Sequence, residues 1–112
     1  MPDQKLEEFA KGHKEFHSVK FKENKNRFHK LSSEGQNPKA LFIGCSDSRV
    51  MPAMITNSNA GDLFIVRNIG NFVAPYQPDA NYHATASAIE YAISVLELTD
   101  IIVCGHSDCG AI

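Results

Sequence analysis

Three short apolar runs, each followed by polar residues, give the chain its strongest pattern. They cover residues 40–44, 63–66 and 101–105. Runs of four or five residues rich in Ile, Val, Leu and Phe are typical of parallel strands that are buried on both faces. A short helix is predicted at residues 50–55, between the first two runs, and an Ala-rich helix at 84–96, before the third. This alternation predicts an α/β fold with a parallel β-sheet core flanked by helices.

Residues 1–31 are predicted to form an N-terminal helical arm. We expect one amphipathic helix, a break near Ser18 and a second helix over about 22–31, followed by a turn-forming cluster at 32–38. The arm has little of its own domain to contact, so it packs either on a partner subunit or back on the sheet. Its apolar stripe, in which residues recur every three or four positions, is Leu6, Phe9, His13 and Phe16.

We interpret residues 1–112 as a single domain that begins with this arm. Three strands are few for a sheet covered on both faces, and residue 112 follows the last polar cluster directly. We therefore expect a shortened, incomplete chain, or one that a partner chain completes. Asp79 or Asn81 is the expected N-cap of the Ala-rich helix.

The net charge of −2 hides an uneven distribution. Residues 1–30 carry eight Lys and Arg and five Asp and Glu, whereas residues 31–112 carry three and eight. Lysines interleaved with glutamates are typical of a solvated helix face, so nucleic acid is not an expected partner. No apolar run approaches the roughly 20 residues of a membrane span and no signal peptide opens the chain, which predicts a cytoplasmic protein without a membrane partner. Without a secretory signal, three cysteines argue against disulfides, and Cys104 is interpreted as a small buried hydrophobe.

Two of the polar clusters carry metal-type ligands. Cys45 follows the first apolar run directly, and His106 and Cys109 follow the third. If those two strands are neighbours, the three side chains converge at the carboxyl edge of the sheet, where α/β proteins gather reactive groups. Two thiolates and an imidazole make a zinc site, one per chain, with one position left over. A closed structural site is the alternative, and the fourth ligand decides between the two.

Asp47 is the candidate for that fourth position. Arg49, two residues further on, can hold the carboxylate in a bidentate pair. We therefore expect a competition, in which zinc keeps a water while Arg49 holds Asp47, and the site closes when Asp47 moves onto the metal. An ordinary salt bridge beside the loop is the alternative. The substrate should be small, because apolar side chains would crowd the site, namely Phe64, Ile69, Phe72 and Tyr91.

Four sequence blocks together resemble the β-class carbonic anhydrases. They are Cys-Ser-Asp-Ser-Arg at residues 45–49, Gly-His-Ser-x-Cys-Gly at 105–110, Val-Arg-Asn-Ile-Gly-Asn at 66–71 and Ala-Ile-Glu-Tyr-Ala at 88–92. The resemblance runs from about residue 6 to residue 112 without a long gap, and the motifs are highly specific in combination.

The resemblance implies a zinc-dependent carbonate dehydratase. Zinc would be held by Cys45, His106 and Cys109, with zinc-bound hydroxide attacking CO2 to give bicarbonate and a proton. Asp47 and Arg49 would form the catalytic dyad, with Asp47 becoming a zinc ligand in the closed, low-pH state. The family also implies a homodimer or higher homo-oligomer, in which the N-terminal helices embrace the neighbouring subunit.

Two positions favour the plant-like subtype, in which the zinc site is open and bears a water. Gln36 matches a glutamine that reaches across the dimer interface to bound substrate in that subtype, and Phe42 stands where the bicarbonate-regulated subtype usually has Trp. Asp108 occupies a position often held by Ala, and the sequence leaves its orientation open. Two other functions also stay open: hydrolysis of CS2 or COS on the same scaffold, and a non-catalytic zinc-binding or dimerisation fragment.

Overall fold

The computed structural model describes residues 4–76 and 83–112. The chain divides into two compact units, Met1–Gln36 and Asn37–Ile112. The expected helix caps Asp79 and Asn81 lie outside the described residues. Within these residues, every helix is too short or too polar to cross a lipid bilayer.

The N-terminal unit is a bent run of helices. Helix α1 (Gln4–Glu15) continues through a π-helical turn (Phe16–Lys20) into the short α2 (Phe21–Glu23), and α3 covers Lys25–Glu34. The bend lies at Asn24, whose φ and ψ of −110° and 21° leave the helical region. The Asn24 side chain donates a hydrogen bond back to the Lys20 carbonyl at 2.8 Å, which stabilises the bend.

Two sequence predictions for this unit are wrong in detail. The chain stays helical at Ser18, because the π-helical turn absorbs the irregularity and the Ser18 hydroxyl donates to the Glu15 carbonyl. The second helix ends at Glu34 and not near residue 31, so Ser32 and Ser33 are helical. Gly35 ends this helix with a φ of 81°, a conformation that glycine adopts at little cost.

Aromatic side chains form a small cluster inside the N-terminal unit. Phe28 stacks on Phe21 with ring centroids 5.3 Å apart, and its edge meets Phe16 at 5.9 Å. Along the predicted apolar stripe, His13 stacks on Phe16 with ring centroids 6.1 Å apart, whereas Leu6 is 66% exposed and Phe9 is 75% exposed. Of the predicted stripe, Phe16 packs within the unit, whereas Leu6 and Phe9 face solvent in the single chain.

The second unit contains a three-stranded sheet in which all described strands are parallel. The strands are β1 (Ala40–Cys45), β2 (Leu63–Asn68) and β3 (Ile101–Cys104), in the spatial order β2-β1-β3. The predicted parallel α/β architecture is therefore confirmed. Strand β2 is two residues longer than its apolar run. Its last residues, Arg67 and Asn68, pair with Gly44 and Cys45.

The core of this unit is built around β1, whose six residues are all buried. Leu41 and Ile43 pack with Ala92 from the helical segment that joins β2 to β3. That segment consists of α5 (Ala84–Glu90) and a π-helical turn (Tyr91–Val95), while α4 (Pro52–Ile55) lies between β1 and β2. The partly buried side chains around this core are Phe64, Val66, Ile89 and Leu98.

Strand β3 differs from the prediction of a strand buried on both faces. Ile101 is 45% exposed, Ile102 is 41% exposed and Val103 is 53% exposed. The reason is that β3 lies at the edge of the sheet and pairs with β1 alone among the described strands. Cys104 is only partly buried, so its interpretation as a buried hydrophobe is also only partly correct.

Candidate metal centre

The carboxyl ends of β1 and β3 lie side by side, and their register brings three metal-type ligands together. Gly44 pairs with Cys104, so the chain leaves both strands at the same level of the sheet. Cys45 is the last residue of β1, and His106 and Cys109 lie in the turn that follows β3. One ligand atom from each residue lies within 4.8 Å of the other two. The predicted convergence of these three side chains is therefore present.

The geometry of this cluster fits a zinc ion. The Sγ atoms of Cys45 and Cys109 are 3.9 Å apart. Two sulfurs that share a tetrahedral zinc at its usual bond length are separated by about 3.8 Å. No movement of the strands is needed to bring the two sulfurs to that separation.

The His106 ring is oriented as a metal ligand requires. Its Nδ1 lies 2.8 Å from the Ser107 carbonyl oxygen, so Nδ1 carries the proton and donates it. The lone pair is then on Nε2, which is buried and lacks a hydrogen-bonding partner among the described residues. A buried acceptor without a donor is costly unless a ligand occupies it. The adjacent Cys45 side chain and the Ser107 carbonyl raise the pKa of His106, because both interact more favourably with the protonated ring.

Cys45 sits where its thiolate form is favoured. The residue is 5% exposed, and the backbone N–H of Gly70 donates to its Sγ at 3.4 Å. The backbone amides of Asp47 and Gly70 lower the pKa of the Cys45 thiol to about 7. Gly70 was not among the residues predicted for the site. The clue in the sequence is a glycine within the polar cluster after β2. In the structure, Gly70 has a φ of 84°, which turns its backbone amide.

Asp47 and Arg49 form a two-point ion pair beside the cluster. Arg49 Nε donates to Asp47 Oδ1 at 3.0 Å, and Arg49 Nη2 donates to Asp47 Oδ2 at 2.8 Å. The Arg49 backbone N–H adds a third bond to Oδ1 at 2.9 Å. These bonds hold the pKa of the Asp47 carboxyl well below its usual range, and the carboxylate raises the pKa of Arg49 in return. Asp47 Oδ2 also lies 3.8 Å from His106 Nε2, so the carboxylate borders the ligand cluster.

Asp108 contributes its backbone and not its side chain. Its carbonyl accepts a hydrogen bond from Arg49 Nη2 at 2.9 Å, which ties the turn after β3 to the loop after β1. The residue is exposed and has a φ of 55°. Asp tolerates this left-handed conformation better than Ala does, which gives a backbone reason for Asp at this position.

Two residues at the end of β2, Arg67 and Asn68, hydrogen-bond to the loops around the cluster. Arg67 donates to three carbonyl groups of the segment 45–50, and Asn68 binds both Phe72 and Thr85. The sequence predicts only a polar cluster here. The role of Arg67 was not predictable, because the direction of backbone carbonyls depends on how the chain folds.

The predicted substrate-contacting residues of the second unit lie in two places. Phe64 stacks on Tyr91 with ring centroids 5.6 Å apart, next to the core. Ile69 and Phe72 are 70% and 60% exposed and line an apolar groove between the loop after β2 and α5. Gln36 belongs to the N-terminal unit. Contact of these residues with substrate stays a prediction.

A parallel sheet with a Cys-His-Cys cluster and an Asp–Arg pair at its carboxyl edge defines a β-carbonic anhydrase type of site. The sequence profile of the carbonic anhydrase family matches residues 40–112. A carbonic anhydrase of Synechocystis sp. is 46% identical over 106 residues, which are 95% of this chain and 38% of the relative. The chain therefore belongs to the β-class carbonic anhydrase family.

Solved structures agree with this assignment. The β-carbonic anhydrase CcaA superposes with a TM-score of 0.90 at 44% identity, covering 96% of this chain and 47% of that one. A tetrameric β-carbonic anhydrase of Sordaria macrospora gives a TM-score of 0.82 at 38% identity, covering 96% and 52%. The chain thus spans about half the length of these structures and a smaller share of the curated relative.

A carbon disulfide hydrolase shares the fold alone. It is 22% identical with a TM-score of 0.53, over 87% of this chain and 45% of that one. This likeness is weaker than the likeness to carbonic anhydrases, so it does not favour the CS2 or COS alternative.

Proposed function

We propose that the protein catalyses the reversible hydration of CO2 to bicarbonate and a proton, as its relatives' names indicate. The observation that carries the proposal is the convergence of Cys45, His106 and Cys109 beside the Asp47–Arg49 pair. Neither the three-ligand cluster nor the Asp–Arg pair on its own would indicate CO2 hydration. Together, in a chain of this family, they supply a metal site and a positioned carboxylate, which are the two components that hydration of CO2 requires.

We propose that Cys45, His106 and Cys109 hold one zinc ion per chain. Zinc held there supplies the Lewis acidity that makes water nucleophilic at neutral pH. The protein's own part is to favour the thiolate form of Cys45 and to orient His106. The amides around Cys45 favour its thiolate, and the Ser107 carbonyl fixes the tautomer of His106.

Asp47 is proposed to orient the attacking water by accepting a hydrogen bond from it. Its carboxylate stays ionised because Arg49 donates to both oxygens. An ionised carboxylate accepts and does not donate, so it aligns the water's proton toward itself and a lone pair toward the substrate. Arg49 acts by holding Asp47, and its bond to the Asp108 carbonyl fixes the guanidinium against the turn that carries His106 and Cys109.

The open, plant-like form of the site is proposed for neutral pH, with zinc holding three protein ligands and a water. The Asp47–Arg49 pair supports this, because a carboxylate with both oxygens bound to Arg49 is not available as a fourth ligand. Phe42 in place of Trp supports it from the sequence. A zinc-bound structure at pH 7 or above with an Asp47 oxygen at about 2.0 Å from the metal would contradict it.

We also propose that the protein forms a homodimer or a higher homo-oligomer through the arm of residues 1–31. The exposed Leu6 and Phe9 support this, because they give α1 an apolar face that the described residues leave open to solvent. We further propose that the substrate contacts four residues, namely Gln36, Phe64, Ile69 and Tyr91. A cytoplasmic location stays a prediction.

One experiment tests the function. CO2 hydration is measured on the purified protein together with zinc content, and CS2 and COS hydrolysis are assayed on the same sample. Turnover of CO2 at one zinc per chain supports the proposal. Turnover of CS2 or COS without CO2 hydration would favour the hydrolase alternative. Zinc binding without turnover of any of the three would favour a non-catalytic zinc-binding or dimerisation fragment.

A further inference from the structure

Two histidines lie about one helical turn apart on the N-terminal arm. His13 is close to the end of α1 and His17 lies in the π-helical turn that follows, and both residues are exposed. The chain stays helical between them and onward through Ser18. Residues four positions apart on a helix are neighbours, with Cβ atoms about 5–6 Å apart. The continuous helix therefore places the two imidazoles next to each other.

The π-helical turn brings these two positions closer to one line along the helix. An α-helix has about 3.6 residues per turn, so a residue four positions further on lies slightly beyond a full turn. A π-helix forms i→i+5 hydrogen bonds and has more residues in each turn, which reduces this offset between His13 and His17. Single π-helical turns within α-helices are frequent at functional sites.

Aromatic neighbours restrict both imidazole rings. His13 stacks on Phe16 with ring centroids 6.1 Å apart, and His17 stacks on Phe21 with centroids 5.5 Å apart and ring planes inclined by 8°. Phe21 in turn stacks on Phe28 of α3. Stacking occupies the faces of the rings and leaves their nitrogens at the edges. A side chain that is already ordered loses less conformational entropy when it binds a ligand.

The chemistry of this pair suits a transition metal ion. Imidazole is the commonest metal ligand in proteins, and two histidines four positions apart on a helix can bind one zinc ion. Imidazole nitrogens also suit copper and nickel. The charged residues between the two histidines, Lys14 and Glu15, have opposite signs and add no net charge.

We propose that His13 and His17 form a second metal site, which binds a divalent zinc, nickel or copper ion through one nitrogen of each ring. Water completes the coordination of the ion. The site lies within the N-terminal unit and shares no ligand with the cluster of Cys45, His106 and Cys109. Its existence does not depend on the proposed function, and an ion bound there joins α1 to the π-helical turn.

Nickel(II) is the probe in the test. Zinc-loaded protein without an affinity tag is dialysed to equilibrium against nickel chloride, and both metals are measured by atomic emission. We expect one nickel per chain in addition to the zinc. His17→Gln should weaken nickel binding about a hundredfold, because the second ligand then no longer acts at the high effective concentration that the first one creates. His29→Gln, an exposed histidine on α3, is the control and should leave nickel affinity unchanged.

A variant with altered spacing separates a two-ligand site from binding by single histidines. His17→Ser combined with Ser18→His keeps the composition of the arm but turns the second imidazole onto another face of the helix. We expect this variant to lose as much nickel affinity as His17→Gln does, with the same helix content by circular dichroism. Wild-type affinity in the altered-spacing variant would overturn the proposal. Equal weakening by His29→Gln, or nickel uptake only in exchange for zinc, would overturn it too, as would no nickel uptake by the wild-type protein.

Discussion

Arg49 holds Asp47 at both carboxylate oxygens, at 3.0 and 2.8 Å, while one of those oxygens lies 3.8 Å from His106 Nε2. Asp47 therefore stands between a guanidinium and the nitrogen proposed to bind the metal. A carboxylate in this place has two possible partners, and the bidentate bond to Arg49 decides which one it takes in the present conformation.

Asp47→Asn should lower CO2 hydration more than it lowers zinc content. The amide keeps the size of the side chain but accepts poorly and is not charged, so the attacking water loses its orienting acceptor. We expect kcat/KM to fall about a hundredfold, the lower end of effects for removal of an acid–base group. Zinc per chain, measured by atomic emission, should stay near that of the wild type.

Cys45→Ala is the matched control for this variant. It removes a proposed zinc ligand, so zinc and activity should disappear together. Equal loss of zinc in the Asp47 and Cys45 variants would contradict the separate roles assigned to the two residues.

Arg49→Lys should lower activity although the charge is kept. Lysine offers a single nitrogen in place of a planar fork, so it cannot bind both Asp47 oxygens and the Asp108 carbonyl together. We expect about a tenfold fall in kcat/KM, with Asp47 less firmly oriented. Asp108→Asn is the control, since only its backbone carbonyl is used, and a comparable fall there would give the Asp108 carboxylate a role in the site.

Removal of zinc should destabilise the second unit, Asn37–Ile112. The proposed ligands Cys45 and Cys109 are 64 residues apart in sequence, and the metal would join the ends of β1 and β3. A metal that binds only the folded state stabilises it by mass action, so chelation by dipicolinate should lower Tm by about 10 °C. Zinc added back should restore the transition in circular dichroism. An identical Tm with and without zinc would exclude a ligand set that bridges the strands.

The sheet and its topology were predictable because their signals are local. The three apolar runs each became a strand, and the helical segments between them require parallel pairing. The π-helical turns at Phe16–Lys20 and Tyr91–Val95 were not predictable, since they change the helical period that the prediction assumes. The exposure of β3 was also missed, because a run such as Ile101–Cys104 does not reveal whether it lies at the centre or the edge of a sheet.

For the site, the side chains were predictable and their backbone partners were not. Cys45, His106 and Cys109 were identified by spacing and by their place after strands, and they do converge. The Gly70 amide and the carbonyls that bind Arg67 leave no such pattern in sequence. Any residue type supplies an N–H or C=O group, so only the folded path of the chain tells which of them face the site.

Gly44→Ala should destabilise the sheet, whereas Gly12→Ala should not. A Cβ at Gly44 would lie 2.8 Å from Phe42 Cε1, and Phe42 is 1% exposed, so its ring has little room to move. Overpacking of this kind costs about 1–3 kcal/mol. A Cβ at Gly12 meets nothing within 4 Å, and replacing a helical glycine adds about 0.5–1 kcal/mol of stability. Urea unfolding measures the free energy of unfolding of both variants. Equal values for the two variants would show that Phe42 repacks freely.

Replacing Leu6 and Phe9 together by Ser should weaken self-association. Both side chains are exposed on α1, at 66% and 75%, and their burial between subunits would contribute about 3 kcal/mol or more. The dissociation constant from sedimentation equilibrium should therefore rise about a hundredfold. Glu8→Ser, a polar and exposed position on the same helix, is the control and should leave association unchanged. If the double variant associates as the wild type does, α1 does not join the subunits, and its apolar stripe packs elsewhere.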